Sequence, residues 1–178
     1  MGPAAGRAAD RRRPGVAQPR QHHPPRPPAR RRGSKRGADG QALGRSRGGL
    51  STKVHLLVDA LGLPVAFELT GGQRHDAPLA PGLIGRVRPR CLLADKAYDS
   101  AAVRDALRGL GAEAVIPSKA CRREPIAHDR ELYKARSEVE CTLNLLKQAR
   151  RFATRYEKTR RNYSAVVALG CALLWLRL

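Results

Sequence analysis

Hydrophobic and polar positions alternate from Thr52 to Val58, with β-branched residues among them, which predicts a strand. Ala60-Leu61-Gly62-Leu63 reads as a turn, and Pro64 to Leu69 as the returning arm of a hairpin. Gly71-Gly72 interrupts the pattern. A helix is expected from about Pro78 to Val87. Cys91 to Ala94 is a short apolar run, a buried strand that ends at Asp95. Ser100 is placed to cap a helix that runs to about Leu110, with Gly111 as its stop. Ala114 to Ile116 is a further short strand, closed by Pro117. Lys119 to His128 is a basic loop. Asp129 opens a long helix reaching about Arg151, Phe152 to Tyr156 reads as extended, and an apolar helix follows from about Asn162. Hairpin, helix, strand, helix, strand, helix, helix is the order of a mixed α/β domain.

The long helix carries two stripes. Leu132, Val139, Leu143 and Leu146 form the apolar one. Tyr133, Arg136, Glu140 and Lys147 form the polar one, within roughly a 60° arc at the helical repeat. Arg151 falls on the same stripe. One side can bury itself while its neighbour aims a carboxylate, cations and a phenol at one place.

Composition adds a partner class. Lys and Arg number 35 against 15 Asp and Glu, a net charge of +20. Residues 1–50 hold thirteen basic and two acidic residues, and the rest hold twenty-two and thirteen. A basic excess in both parts points to a polyanion, most simply nucleic acid. A generally basic, ribosome-like protein has the same composition. Residues 1–41 are rich in Arg, Pro, Gly and Ala, and are expected to form a disordered tail, with regular structure starting near Ser51 and the domain spanning 42–178. Within the tail, Gln21 to Pro28 is expected to be neither helix nor sheet interior, because proline lacks the donor and fixes φ.

Cys91, Cys121, Cys141 and Cys171 include no C-x-x-C pair, so neither zinc nor a redox motif is indicated. Reduced thiols in the cytoplasm are expected. No apolar leader opens the sequence. The apolar run Ala165 to Leu176 is shorter than the roughly 20 residues needed to cross a bilayer, so no membrane association is expected. Gly44-Arg45-Ser46-Arg47-Gly48-Gly49 lacks the Gly-Lys-Ser/Thr of a phosphate-binding P-loop.

Asp95 sits just past an apolar strand, where open α/β sheets place functional residues. Glu140 borders the apolar stripe of the long helix. Two carboxylates from different elements can hold Mg²⁺ when phosphates supply further ligands, and Arg136, Lys147 and Arg151 would then meet the phosphates. Tyr133 could bond the backbone or stack on a base. The bland alternatives are a solvated helix face and, for Asp95, a turn-forming residue. Asp59 reads as the opener of the hairpin turn, His55 as a residue satisfied within the fold, Asp76 as a helix cap, and Asp99-Ser100 as another cap.

Tyr133-x2-Arg136-x3-Glu140-x6-Lys147 resembles the Y-R-E-K signature of bacterial insertion-sequence transposases with a DDE catalytic domain. Leu93 to Ser100 resembles the segment bearing their second catalytic Asp, with Ala97 where Gly is usual. Gly44 to His55, Asp59-x2-Gly62-x-Pro64, Thr70 to Asp76 and Arg151 to Tyr156 are also similar to that family. The match runs from about Ala42 to the C-terminus. The resemblance implies an RNase H-like mixed sheet flanked by helices. It implies two divalent ions, Mg²⁺ or Mn²⁺, held by Asp, Asp and Glu, with water and then a DNA 3′-hydroxyl attacking phosphodiesters. Asp95 and Glu140 would be the second and third carboxylates and metal ligands. Tyr133, Arg136, Lys147, Arg151 and Arg155 would be DNA-binding residues. Transposon-end and target DNA would be the partners, with a homodimer allowed, in a bacterial cytoplasm near the nucleoid.

The family's first Asp belongs on a strand before the hairpin, typically in Asp-Ser-Thr. That sequence is absent, and residues 1–50 contain only Asp10 and Asp39 as acids. The first central strand is therefore expected to be missing, the sheet incomplete and the chain inactive, or a non-catalytic DNA-binding derivative. Plausible codons for Arg20 to His23, read one base on, open with Asp-Ser-Thr. Residues 1 to about 35 are accordingly expected to be an out-of-frame translation.

Overall fold

The structure is a computed structural model that describes residues 15–17, 20–22, 38–46 and 49–177. β1 (Gly15–Ala17) and β2 (Arg20–His22) precede β3 (Gly44–Ser46), β4 (Gly49–Val58), β5 (Pro64–Gly71), β6 (Cys91–Leu93) and β7 (Glu113–Val115). The helices are α1 (Ala80–Val87), α2 (Ala101–Gly109), α3 (Arg130–Lys134), α4 (Ser137–Gln148), α5 (Arg150–Ala153) and α6 (Arg160–Trp175).

β4 is the spine of the sheet. It pairs antiparallel with β5 on one edge and with β1 and β2 on the other, and β1 pairs parallel with β6, which pairs parallel with β7. The main order is thus β5-β4-β1-β6-β7, with β4 alone reversed, which is the RNase H-like arrangement. β4 is buried along both faces because alternate residues enter different cores. Val54, Leu56 and Val58 pack with Val139, Leu143, Leu146, Phe152, Tyr163 and Val167 beneath α4, α5 and α6. Leu57 packs on the opposite face with Leu83, Ile84, Val103 and Leu107 of α1 and α2. His55 shares that second face and is satisfied by Thr70, Nε2 to Oγ1 at 2.8 Å.

The first central strand is present, which corrects the expected gap. β1 lies between β4 and β6, with Gly15 in register with Leu93 and with Val58. β2 continues along β4 in the same register, Ala17 opposite Leu56 and Arg20 opposite Lys53. Arg20, Gln21 and His22 each keep a backbone donor, and β4 offers the matching ladder, so tertiary pairing overrides a proline-rich context. Regular structure also precedes Ser51. A 3-10 turn at Ala38–Gln41 leads to buried Ala42, and β3 pairs with the start of β4. The other residues of the expected tail, 1–14, 18–19 and 23–37, lie outside the described residues.

The hairpin, α1, β6, α2, β7 and α6 fall close to their expected places. Asp59 opens the hairpin turn by accepting the N–H groups of Leu61 and Leu63, both at 2.9 Å. The long helix is not continuous. At Ala135 and Arg136 the bonds tighten to i→i−3, and at Ala149 the backbone is extended (φ −76°, ψ 111°). Phe152 and Ala153, expected to be extended, form the end of α5, and the chain extends only from Thr154 (φ −128°, ψ 119°).

Candidate active site

Cys91, Leu92 and Leu93 of β6 are all buried, and Asp95 is the first residue after them able to reach solvent. Asp95 turns the chain by accepting the Ala97 N–H on Oδ1 at 2.8 Å, which caps the turn Lys96–Tyr98. Tyr98 anchors that turn in the α1–α2 core.

α3 and α4 cross the sheet beside this point. Leu132 and Tyr133 pack on Cys91, Leu93 and Val115. Leu93 and Val139 line one small cavity of about 50 Å³, together with Val58, Asp59, Leu132 and Ala135. The strand that leads to Asp95 and the helix that carries Glu140 therefore face one cavity, through Leu93 and Val139. Thr142 on one flank of α4 donates to Gly62 O at 2.5 Å. Glu140 occupies the opposite flank, since the two residues are separated by roughly 200° of helical rotation.

The row predicted from spacing forms over its first three members. The Arg136 guanidinium lies 5.7 Å from the Tyr133 ring centroid and 2.6 Å from Glu140 Oε1. His128 meets Tyr133 edge-on at 5.5 Å. Glu140 is 55% exposed, so its carboxylate is open to a ligand although paired. Lys147 is exposed on the last turn of α4. Arg151 leaves the row, because the break at Ala149 redirects the chain and its guanidinium pairs with Glu157 at 3.1 Å.

Arg155 is corrected outright as a DNA contact. It is fully buried, donates to Ala42 O at 3.1 Å, Thr52 Oγ1 at 2.6 Å and Glu157 O at 3.0 Å, and lies 5.1 Å from the Tyr163 ring. Burial draws its pKa below the ordinary arginine value. No phosphate can reach it. Asp76 is also corrected: it makes no cap bond, and its Oδ1 takes the buried Lys53 ammonium at 2.6 Å. Ser100 does cap α2, accepting the Val103 N–H at 3.3 Å, whereas Asp99 turns inward to two arginines. A single sequence carries no signal for that role, because the partners at 104, 119 and 122 follow no helical or strand period.

The donor set falls short of a two-ion site. The strand beside β6 reads Gly15, Val16, Ala17, Arg20, Gln21 and His22 over its described positions, with no carboxylate. Among the described residues no three His, Cys, Asp or Glu side chains gather closely enough to hold a metal ion. Asp95 and Glu140 alone do not match two divalent ions, which need a third carboxylate to share.

A family model described as the transposase DDE domain matches residues 17–175. A transposase assigned to insertion sequence element IS6501 of Brucella ovis is 38% identical over 130 residues, covering 72% of this chain and 100% of that protein. One assigned to element IS402 of Burkholderia cepacia is 37% identical over 135 residues, covering 69% of this chain and 62% of that protein. Among solved structures, the Mos1 strand transfer complex shares 17% identity over 91% of this chain and 52% of its own, with a TM-score of 0.38. The Mos1 mariner paired end complex with Mn shares 17% over 58% and 35%, with a TM-score of 0.37. No helix among the described residues is long and apolar enough to cross a membrane.

Proposed function

The chain belongs to the transposase DDE domain family, and from that premise we propose that it is an insertion-sequence transposase catalytic domain that binds DNA but cannot cut it. The observation that carries the inactivity is the central strand. It is present beside β6, yet its described residues include no acid. Asp95 and Glu140 are the second and third carboxylates of a three-carboxylate set. Tyr133 and Arg136 orient Glu140, and Lys147 meets backbone phosphate, with Arg151 contributing charge from α5. Mg²⁺ or Mn²⁺ would supply the charge neutralisation of an in-line displacement in a complete site. Asp95 and Glu140 by themselves leave that site a carboxylate short.

The out-of-frame reading of the N-terminus concerns a segment on the line of the central strand, beyond Ala17, which the β1–β6 register sets level with Asp95. Arg20, Gln21 and His22, the residues whose shifted codons open with Asp-Ser-Thr, stand on the line of the central strand, with Arg20 opposite Lys53. The coding DNA tests this directly: the idea fails if no shifted frame encodes Asp-Ser-Thr there.

The activity claim has its own test. The purified chain, given Mg²⁺ or Mn²⁺ and DNA bearing the element's ends, is expected to leave the strands intact. Replacing Arg20-Gln21-His22 by Asp-Ser-Thr, or restoring the upstream frame, is expected to produce metal-dependent cleavage, and adding Glu140→Gln to abolish it. Cleavage by the unaltered chain would falsify the proposal. A DNA-binding protein without catalysis is separated from an unfolded product by circular dichroism and by affinity that drops steeply with salt.

A further inference from the structure

Asp99 lies four residues beyond Asp95, with its side chain 1% exposed. Both carboxylate oxygens are in use. Oδ1 accepts from Arg104 Nε at 2.8 Å and Arg122 Nη2 at 2.9 Å, and Oδ2 accepts from Arg122 Nε at 3.0 Å and the Lys119 N–H at 2.9 Å. Arg104, on α2, also donates to Ile116 O at 2.9 Å, where the chain leaves β7. Burial by itself would raise the carboxyl's pKa, but Arg122, the Lys119 N–H and Arg104 together hold it well below the usual carboxylate range. One buried anion thus ties the turn after Asp95 to α2, to the exit of β7 and to the segment 117–128.

That segment has no helix or strand of its own. It is fastened a second time by Ser118, whose Oγ accepts the Ile126 N–H at 2.8 Å and donates to Ile126 O at 3.4 Å. It carries Lys119, Arg122 and Arg123, and one acid, the exposed Glu124. Arg122 is committed to Asp99, whereas Lys119 and Arg123 make no ion pair among the described residues, and Arg123 is exposed. The two fastenings hold the backbone of the segment that carries those two cations at the Asp95 end of the sheet, where the Ala94 N–H bonds Val115 O at 3.3 Å.

We propose that Asp99 is a positioning residue that holds segment 117–128 as a phosphate-binding ridge for double-stranded DNA. The inference rests on the DNA-binding reading above and adds a surface, and a residue that shapes it, to that site. It makes a prediction opposite in sign to simple electrostatics. Asp99→Asn removes a negative charge and frees Arg122, so charge alone would tighten DNA binding. Loss of positioning would weaken it.

The test uses the full chain and a duplex of unrelated sequence, with anisotropy titrations across salt concentrations. Asp99→Asn is expected to bind about fivefold more weakly, with the salt slope reduced by roughly 1–2 as phosphate contacts are lost. Trypsin should cut after Lys119, Arg122 or Arg123 about tenfold faster, because local opening becomes cheaper. Ser118→Ala changes no charge and touches no core, so it decides the matter if Asp99→Asn fails to fold. It should weaken binding about two- to threefold with an unchanged melting midpoint. Equal or tighter binding by folded Asp99→Asn, or by Ser118→Ala where Asp99→Asn does not fold, overturns the proposal. An unaltered chain with no salt-sensitive DNA binding sinks the DNA reading along with it, whereas salt-sensitive binding indifferent to both substitutions sinks the ridge alone.

Discussion

Removing the Arg155 guanidinium strips three acceptors, on Ala42, Thr52 and Glu157, of a charged donor in the core, and leaves the Tyr163 face bare. Arg155→Met is expected to cost about 3 kcal/mol in urea denaturation, since one member of a buried network is lost. The salt slope of DNA binding should stay that of the unaltered chain, because the buried side chain contacts no phosphate. His55 gives a pH signature at the same scale. Burial pushes its pKa down to about 4, below the ordinary imidazole value of 6.5. The unfolded chain therefore takes up its proton first as pH falls, and the folded state loses stability between about pH 6.5 and 4. The loss is on the order of 3 kcal/mol at most. Chemical denaturation at several pH values should show this limb in the unaltered chain and a flatter one in His55→Gln. A limb of equal depth in both would rule out His55 as its source.

At the scale of elements, the hairpin turn and α4 are stitched together at one point. Gly62 has φ +77°, and a Cβ there would sit 3.0 Å from Thr142 Oγ1, which itself bonds Gly62 O. Gly62→Ala is expected to cost about 1–2 kcal/mol for the left-handed backbone and to lower Tm by roughly 3–6 °C in a thermal melt. The stitch also sets the rotation of α4, so the same variant should disturb the Arg136–Glu140 row on the other flank. Element positions were legible in the sequence where period and punctuation agreed. Ser100 and Gly111 bracket α2, Asp59 and Gly62 shape the hairpin turn, and Val139, Leu143 and Leu146 mark the buried stripe. The breaks at Arg136 and Ala149 were not legible. No proline or glycine marks them, and they arise where α3 must reach β6 and β7 while α4 spans β4 and α5 returns toward β2.

For the whole molecule, the sheet needs a strand between β4 and β6 whatever the sequence offers there. Without it both neighbours would expose backbone donors and acceptors in the middle of the fold. Gly15–Ala17 and Arg20–His22 fill the place by backbone pairing, which requires no particular side chain. Metal chemistry is less tolerant, since it requires a carboxylate at that place. The sequence by itself determined the family, the order of elements from the hairpin onward and the row Tyr133, Arg136, Glu140, because these rest on local period and on residue types at fixed spacing. It also determined that no Asp-Ser-Thr precedes the hairpin. Only the tertiary structure decided that the central strand is occupied, that Arg155 is a core strut and that Arg151 leaves the row. It alone shows that Asp99 gathers residues 104, 119 and 122. The occupied strand, the Arg155 strut and the Asp99 cluster depend on contacts between segments far apart in the chain, which no local pattern encodes, and the break at Ala149 that takes Arg151 off the row carries no proline or glycine to announce it.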